Sequence, residues 1–176
     1  VAISGDERTS LTTFTYNTTD WILNKPSLVQ TLDANGNVVA QRRFYYDDAP
    51  DINTPPTVGN LSKEEEWLNL PTPQWLATTL TYDPYGNVQT VTDAKSRTTT
   101  NTYDAATHTY LEVITNTLGH TRSLTYDPRF GAVLTSTDQN GLTAKTTYDA
   151  LGRVIQTSFL DPTTTNTEVI LSRITY

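Results

Sequence analysis

The chain has 176 residues, which is enough for one ordinary domain or for a piece of a larger protein. Its formal net charge is −7 and its Lys and Arg are scattered, which argues against nucleic-acid binding, because that needs clustered cations to neutralise phosphates. There is no Cys, hence no disulfide framework, and no apolar run approaches the about 18 residues of a membrane-spanning helix.

Residues 1–76 carry extended segments separated by irregular loops, and we expect them to form irregular β-hairpins. Leu11–Tyr16 is predicted to be a strand. A hairpin is predicted over Ser27–Val39, continuing through Arg42–Tyr46. Three prolines follow between Asp47 and Asn60, where they cannot serve a strand ladder, so a long Pro-rich loop is predicted at 48–60.

The segment 61–70 has two interpretations. Ser62 followed by Glu65 is a capping-box pattern and would begin a short helix. Alternation of residues 61–68 instead predicts a strand that pairs, through the loop Asn69–Gln74, with a strand over Trp75–Tyr82. Pro71 would leave the helix barely two turns long, which favours the strand, although the sequence leaves both open.

Residues 77–176 form a second, regular region in which a Tyr-Asp dipeptide recurs. Its copies begin at Tyr82, Tyr103, Tyr126 and Tyr148, at intervals of 21, 23 and 22 residues, and an earlier copy begins at Tyr46. A fixed period of this size indicates one small structural unit copied along the chain, with each copy packed on its neighbours.

A second series of turn signals halves this period. Asp or Asn recurs every 10 to 12 residues at Asp83, Asp93, Asp104, Asn116, Asp127, Asp138, Asp149 and Asp161. Gly follows three positions after several of them, as Gly36 follows Asp33, and such Gly can take the positive φ that closes a type I turn with a bulge. Turns with Ser96 or Thr107 at the Gly position, and the longer Asp127–Gly131, are expected to be less regular or shifted in type.

The remaining intervals have the length and composition of strands. About seven residues separate successive turns, and Thr, which favours strands over helices, fills 36 of the 176 positions. Hydrophobic residues make up only 36% of the chain, below the roughly 45–50% of ordinary domains. We predict an all-β fold, an antiparallel meander of repeated β-hairpins that forms a twisted, curved sheet.

The sequence contains no catalytic constellation, and we predict no catalytic, cofactor-binding or metal site, no cofactor and no enzymatic activity. His108 and His120 are expected to face solvent, and Glu64–Glu66 to form a solvated acidic face. The segments Asp33–Gly36 and Asp138–Gly141 resemble the start of a calcium loop but lack its further ligands, so turn formation explains them. The glycosylation sequons at Asn17 and Asn60 are expected by chance in so Thr-rich a chain.

Aromatic residues offer one alternative to a purely structural role. The recurring Tyr is predicted to pack laterally against its counterpart on a neighbouring hairpin, since such contacts stabilise sheets. Trp21, Trp67 and Trp75, together with the tyrosines, could instead form a platform on which sugars stack.

The repeat resembles that of RHS/YD-repeat proteins. The resemblance rests on residues 81–88 (Thr-Tyr-Asp-Pro-Tyr-Gly-Asn-Val), 147–154 (Thr-Tyr-Asp-Ala-Leu-Gly-Arg-Val), 125–131 and 137–141, and it is strongest over residues 78–160. It implies a long β-sheet that spirals into a hollow shell around a C-terminal toxic polypeptide. The family's self-cleaving Asp-Pro-x-Gly motif is matched superficially by Asp83–Gly86, which we interpret as a turn.

We therefore expect a non-catalytic structural segment of a large secreted or surface-exposed RHS/YD-repeat toxin-type protein. The absence of Met and a final Thr175-Tyr176 that matches the start of a repeat indicate a segment of a longer polypeptide. The implied partners are the rest of that polypeptide and its toxin cargo, with no nucleic acid and no membrane span. The alternative is a cell-surface glycan-binding or adhesion module.

Overall fold

The computed structural model describes residues 7–68, 70–72, 74–161, 163 and 167–176, and nearly all of its regular structure is β. The thirteen strands are β1 (Thr9–Asn17), β2 (Ile22–Leu32), β3 (Val38–Tyr46), β4 (Leu61–Leu68), β5 (Gln74–Tyr82), β6 (Val88–Thr92), β7 (Thr98–Tyr103), β8 (Leu111–Thr115), β9 (Thr121–Asp127), β10 (Ala132–Thr137), β11 (Thr143–Tyr148), β12 (Val154–Asp161) and β13 (Thr167–Arg173).

These strands form one antiparallel sheet whose strand order is the chain order, and within the described residues the sheet does not close on itself. The predicted all-β meander is thus confirmed. The chain divides into two compact units, residues 1–98 and 99–176, and each is described by itself below. No helix in the described parts of the chain is long and apolar enough to cross a membrane.

In the first unit, the ambiguous segment is the strand β4. It pairs with β3 through Arg43↔Glu65 and with β5 through Trp67↔Trp75, so the helical interpretation is wrong. The Ser62 hydroxyl is used elsewhere: it donates to the Tyr45 carbonyl at 3.2 Å and accepts the Asp48 N–H at 2.9 Å. Asn69 and Pro73, in the predicted loop between β4 and β5, lie outside the described residues.

Little of the first unit is buried, as its low apolar content predicts. Among the described residues, Tyr45 and Tyr46 are the large aromatic side chains below a tenth exposed, and Pro56 is fully buried. Pro56 lies in the loop 47–60, which folds onto the β1–β2 hairpin. There its carbonyl accepts Asn17 Nδ2 at 2.9 Å, so the long loop supplies packing that a second layer would otherwise provide.

In the second unit, threonine hydroxyls pair across neighbouring strands. The Oγ1 atoms of Thr125 and Thr135 lie 2.6 Å apart, and those of Thr137 and Thr143 lie 2.7 Å apart. Thr157 makes a similar 2.8 Å contact with the hydroxyl of Ser172. Cross-strand hydroxyl pairs of this kind stabilise sheets, which accounts for part of the high Thr content.

Candidate functional site

The feature that recurs along the sheet is the turn between strands, which we call a corner. In the corner Asp83–Asn87, the Asp83 N–H donates to the Asn87 carbonyl at 2.9 Å and the Gly86 N–H donates to the Asp83 carbonyl at 3.1 Å. One carboxylate oxygen of Asp83 also accepts the N–H groups of Tyr85 and Asn87, both at 2.9 Å. The φ of Gly86 is 86°, so this is the predicted type I turn with a bulge.

The same hydrogen bonds occur at the corners that begin at Asp33, Asp93, Asn116, Asp138 and Asp149. The prediction of a less regular turn at Ser96 was wrong. Ser96 takes a φ of 58° and keeps the Gly hydrogen bond, donating to the Asp93 carbonyl at 2.9 Å. Because Arg97 Nε also donates to the Asp93 carboxylate at 2.7 Å, side-chain bonding offsets the strained backbone.

Two corners are longer, and in both the Asp side chain still organises the turn. At Asp104 the positive φ falls on His108 rather than on Thr107, so the predicted shift in type is confirmed. The Asp104 carboxylate accepts the N–H groups of Thr107, Thr109 and Tyr110 at 2.6 to 2.8 Å. At Asp127 the extra residue is accommodated by Gly131, whose φ is 65°.

The loop 47–60 is closed in the same way as the short corners, over a longer stretch of chain. The Asp47 N–H donates to the Asn60 carbonyl at 2.8 Å, as the first residue of a short corner does to the last. The Asp47 carboxylate accepts the N–H groups of four consecutive residues, Thr57, Val58, Gly59 and Asn60, at 2.7 to 3.1 Å. One carboxylate therefore closes a loop far longer than a hairpin turn.

A further corner, which the sequence analysis missed, lies between β1 and β2. Asn17 replaces Asp, and its side-chain oxygen accepts the N–H groups of Thr19 and Asp20 at 2.9 and 3.1 Å. Asn17 pairs with Ile22 as Asp127 pairs with Ala132, so Trp21 occupies the position of Gly131. The Tyr16-Asn17 dipeptide could have revealed this corner, because it differs from the repeated Tyr-Asp dipeptide only in having a side-chain amide in place of the carboxylate.

Some corners are preceded by a Tyr, and several of these tyrosines fasten the corner to the strand before it. The hydroxyl of the Tyr that precedes a corner donates to a backbone carbonyl of the preceding strand at 2.9 to 3.2 Å. The pairs are Tyr46 with Pro26, Tyr82 with Leu61, Tyr126 with Leu111, Tyr148 with Val133 and, at the last repeat, Tyr176 with Val154. We call this contact the tyrosine clamp.

The ring contacts of these tyrosines differ from the predicted ladder of corner tyrosines. Tyr126 stacks on Tyr110, with ring centroids 5.0 Å apart, and Tyr110 is the residue that closes the preceding corner. At the equivalent closing position, Arg153 lies over the ring of Tyr176, with its guanidinium carbon 4.2 Å from the centroid. The ladder prediction is therefore wrong at Tyr126, whose neighbour is a corner residue.

The corner carboxylates are held in the ionised form. Hydrogen bonds from the side chain and backbone of Arg97 lower the pKa of Asp93 to about 2. Backbone N–H groups, that of Tyr110 first, lower the pKa of Asp104 far below its usual value. At Asp47 partial burial acts to raise the pKa, but the four backbone N–H groups outweigh it and the pKa is lowered.

The side chains of Glu64 and Glu66 on β4 are 33% and 57% exposed and that of Glu65 is 16% exposed, so the predicted solvated acidic face is wrong only at Glu65. The side chains of Glu64 and Glu66 approach Arg42 at 3.6 and 3.9 Å on one face. Glu65 points to the other face, where its carboxylate accepts the Tyr45 hydroxyl at 2.7 Å and lies 3.1 Å from Lys63 Nζ. Each of these carboxylates has a basic side chain within 4.0 Å.

The remaining candidate residues are the two histidines and the two glycosylation sequons, and they lie in or beside corners. His120 closes the Asn116 corner, and His108 lies within the Asp104 corner. In the described parts of the chain, no three His, Asp or Glu side chains converge in a group that could hold a metal ion. The side-chain oxygen of the sequon residue Asn17 accepts the Thr19 N–H inside its corner, and its Nδ2 donates to Asp20 and to the Pro56 carbonyl; Ser62 of the second sequon is 7% exposed.

The tryptophans do not form a common platform. Trp67 and Trp75 are half-buried and oppose each other across β4 and β5, and the guanidinium of Arg43 lies 3.8 Å from the Trp75 ring centroid. Trp21 is different, because it is 79% exposed and takes a φ of 57°. A large side chain in this left-handed region is strained.

Comparison with known proteins gives matches among solved structures. No family model and no curated protein matches the chain. A chain in the crystal structure of TcdB2–TccC3–Cdc42 matches 96% of it with a TM-score of 0.61 and 16% identity. A chain in the structure of the Photorhabdus luminescens Tc holotoxin pore matches 96% of it with a TM-score of 0.57 and 16% identity.

The present chain covers 10% of each of those two chains. At 16% identity the likeness concerns the fold, so a similar antiparallel β architecture also occurs within these toxin-complex chains.

Proposed function

We propose that this chain is a non-catalytic wall segment of a large secreted RHS/YD-repeat toxin-type protein, and that its sheet helps to enclose a toxic cargo polypeptide. The observation that carries the proposal is the tyrosine clamp combined with the corner. Together they fasten each new hairpin to the one before it, so the sheet extends sideways without a second layer. A wall that surrounds a cargo needs this kind of growth.

The distribution of polar groups suits such a wall. The corner carboxylates and β4 glutamates are engaged by backbone N–H groups or basic side chains, and no buried side-chain nitrogen or oxygen in the described residues lacks a hydrogen bond. A thin sheet of this type resists opening because its polar groups are satisfied locally. The likeness to toxin-complex chains over 96% of this chain supports the same proposal.

The proposed partners are the other repeats of the parent polypeptide and the cargo that they enclose. A net charge of −7 without a basic patch disfavours nucleic acid as a partner. The chemistry of the corners is used for folding, which is the basis for proposing that the segment has no enzymatic activity.

The test uses the full-length polypeptide that contains this segment. Electron microscopy should reveal a hollow body with these strands in its wall, and limited proteolysis should spare the enclosed C-terminal part until the wall is opened by denaturant. A solid domain at this position, or a C-terminal part that is cleaved at the same rate with the wall intact, would contradict containment.

A second candidate is glycan binding, and the exposed, strained Trp21 favours it. Exposed aromatic rings at a backbone outlier are a common feature of recognition sites. A glycan array probed with the wild-type chain and with Trp21→Ala and Trp67→Phe variants would test it. Binding that is lost in Trp21→Ala but kept in Trp67→Phe would support an adhesion role, and absence of binding in all three would remove it.

A further inference from the structure

We propose that the outer edge of β1 docks an antiparallel strand that begins directly after a corner, and that a backbone carbonyl of that strand accepts the Tyr16 hydroxyl. The inference rests on the proposed function and deepens it, because it names the residue and the backbone atom through which this segment is joined to a neighbouring repeat. It concerns lateral joining and is independent of whether a cargo is enclosed.

Tyr16 is a clamp residue without its acceptor. It stands immediately before the Asn17 corner, as Tyr46 stands before Asp47 and Tyr148 before Asp149. The five tyrosine clamps have hydroxyl-to-carbonyl distances of 2.9 to 3.2 Å. Tyr16 makes no such bond with the described residues and is 59% exposed, whereas Tyr46 is 6% exposed.

The edge of β1 also lacks charges and prolines, two of the features that protect a natural sheet edge, although its pairing with β2 is irregular at Thr13/Phe14 and at Thr15/Asn17. Its sequence, Thr9–Asn17, contains no charged residue, no Pro and no Gly. Leu11 and Phe14 are 47% and 50% exposed on it. Isolated edges of this length carry charges, prolines or bulges that block pairing with other strands. The other terminal strand, β13, does carry Glu168 and Arg173.

The clamps fix the kind of strand that fits. In each clamp the acceptor carbonyl belongs to the antiparallel strand that precedes the tyrosine's own strand. At Tyr82, Tyr126 and Tyr176 that carbonyl is on the first residue after a corner or loop. Tyr148 is clamped by Val133, the second residue of β10, whereas the acceptor of Tyr46 is Pro26, the fifth residue of β2. The occupant of the β1 edge is therefore a strand of the β10 kind, provided by a preceding repeat.

The experiment adds such a strand to the chain. When Tyr16 is aligned with Tyr148, Leu11 corresponds to Thr143, so a copy of residues 121–142 replaces residues 1–10 and is joined directly to residue 11, with Thr9 and Ser10 of β1 exchanged for Gly141 and Leu142 of the copy. This places a second β9–β10 hairpin and the Asp138–Leu142 corner ahead of β1, as they stand ahead of β11. Amide hydrogen exchange is then measured by NMR in the original 176-residue chain and in the extended chain.

We expect the β1 amides to exchange at least about tenfold more slowly in the extended chain, because local opening must now break the added ladder. Tyr16→Phe should reverse about fivefold of that protection in the extended chain, in keeping with one lost hydrogen bond, and should leave the original chain unchanged. Unchanged β1 exchange in the extended chain, with the β5 amides still protected as evidence of folding, would overturn the proposal.

A second measurement separates this docking from simple edge association. Analytical ultracentrifugation of the original chain, with Thr12→Lys as the variant that blocks the edge, reports whether β1 pairs with another copy of itself. Protection of β1 that depends on protein concentration, and that is the same in Tyr16→Phe, would mean that any strand fits. That result would overturn the proposal of a strand specified by the tyrosine clamp.

Discussion

The corner at Asp149 and the loop at Asp47 both connect two antiparallel strands, but they do so with very different numbers of residues. At Asp149 the turn closes within residues 149–153, and one carboxylate oxygen accepts the N–H groups of Leu151 and Arg153, at 2.8 and 2.9 Å. At Asp47 the loop runs over residues 47–60, and the carboxylate accepts four consecutive N–H groups near the loop's end. In both, the aspartate N–H also bonds the carbonyl that closes the turn.

The comparison teaches that the corner is defined by its carboxylate and closing hydrogen bond and not by its length. Tripling the length of a flexible loop costs only about 1 kcal/mol of closure entropy. Hydrogen bonds to a charged acceptor contribute roughly 1.5 to 3 kcal/mol each, so the additional N–H groups at Asp47 outweigh that cost. Insertions at this edge of the sheet are therefore tolerated where an aspartate remains to receive them.

Acidification should have the largest effect, because it removes the charge from long and short corners together. The pKa values of Asp47 and Asp104 are lowered and that of Asp93 lies at about 2. Groups of this kind contribute stability that is complete above the unfolded-state pKa of about 3.9 and is lost as pH falls through the folded-state value.

Circular dichroism and tryptophan fluorescence between pH 7 and pH 1.5 would follow this loss. We expect a constant signal above about pH 4 and cooperative unfolding below it. Unfolding on the alkaline side of that range, with stability kept at pH 2, would show that the carboxylates do not hold the corners.

Removing the Asp47 carboxylate should have the largest effect of any single substitution. Asp47→Ala leaves four N–H groups of the loop without their acceptor, and we expect the free energy of unfolding to fall by about 3 kcal/mol. Asp149→Ala is the matched variant in a short corner, and its loss should be smaller because two backbone N–H groups lose their acceptor instead of four, and the Arg153 side chain that it also binds is 46% exposed. Urea denaturation measures both. Equal losses at the two positions would mean that the carboxylate does not compensate for loop length.

Removing a clamp hydroxyl should have an intermediate effect. Tyr46→Phe keeps the buried ring but leaves the Pro26 carbonyl unpaired, and we expect a loss of about 1 kcal/mol in the free energy of unfolding. Tyr16→Phe, at the open edge, is the control and should change stability by less than about 0.5 kcal/mol. If the control variant is destabilised as much as Tyr46→Phe, the hydroxyl-to-carbonyl bond is not the source of the effect.

Relieving the strained backbone at a short corner should have the smallest effect. Ser96 adopts a φ of 58° where equivalent corners have Gly. Ser96→Gly should raise the free energy of unfolding by about 0.5 kcal/mol, since the left-handed penalty of 1 to 2 kcal/mol is partly offset by the greater freedom of Gly in the unfolded chain. Thermal denaturation would detect the shift, and a lowered melting temperature would contradict it.

Corners and strands could be predicted from sequence because their causes are local. An aspartate that bonds the backbone two and four residues ahead, with Gly in a left-handed conformation, needs no distant partner, and Asp33 and Asp83 fold as expected. The strand at β4 could not be settled in this way. Its outcome depends on Ser62 and Glu65 finding Tyr45, which is distant in sequence.

The tyrosine clamp was not predicted because it depends on register. The hydroxyl of Tyr82 reaches the Leu61 carbonyl because β4 and β5 pair in the register Lys63↔Thr79, and the dipeptide alone does not reveal that acceptor. The Asn17 corner was missed for a different reason. Trp21, with a φ of 57°, stands where the Asp127 corner has Gly131, so the glycine signal of a corner is missing from the sequence.

The most direct test of the account is amide hydrogen exchange at Thr57, Val58, Gly59 and Asn60, measured at neutral pH in the wild-type chain and in Asp47→Ala. The account predicts that these four amides, although they lie at the end of a long loop, are protected in the wild type as strand amides are. In Asp47→Ala they should exchange freely while the β4–β5 ladder stays protected. Rapid exchange of the four amides in the wild type would contradict the claim that one carboxylate closes a corner of any length.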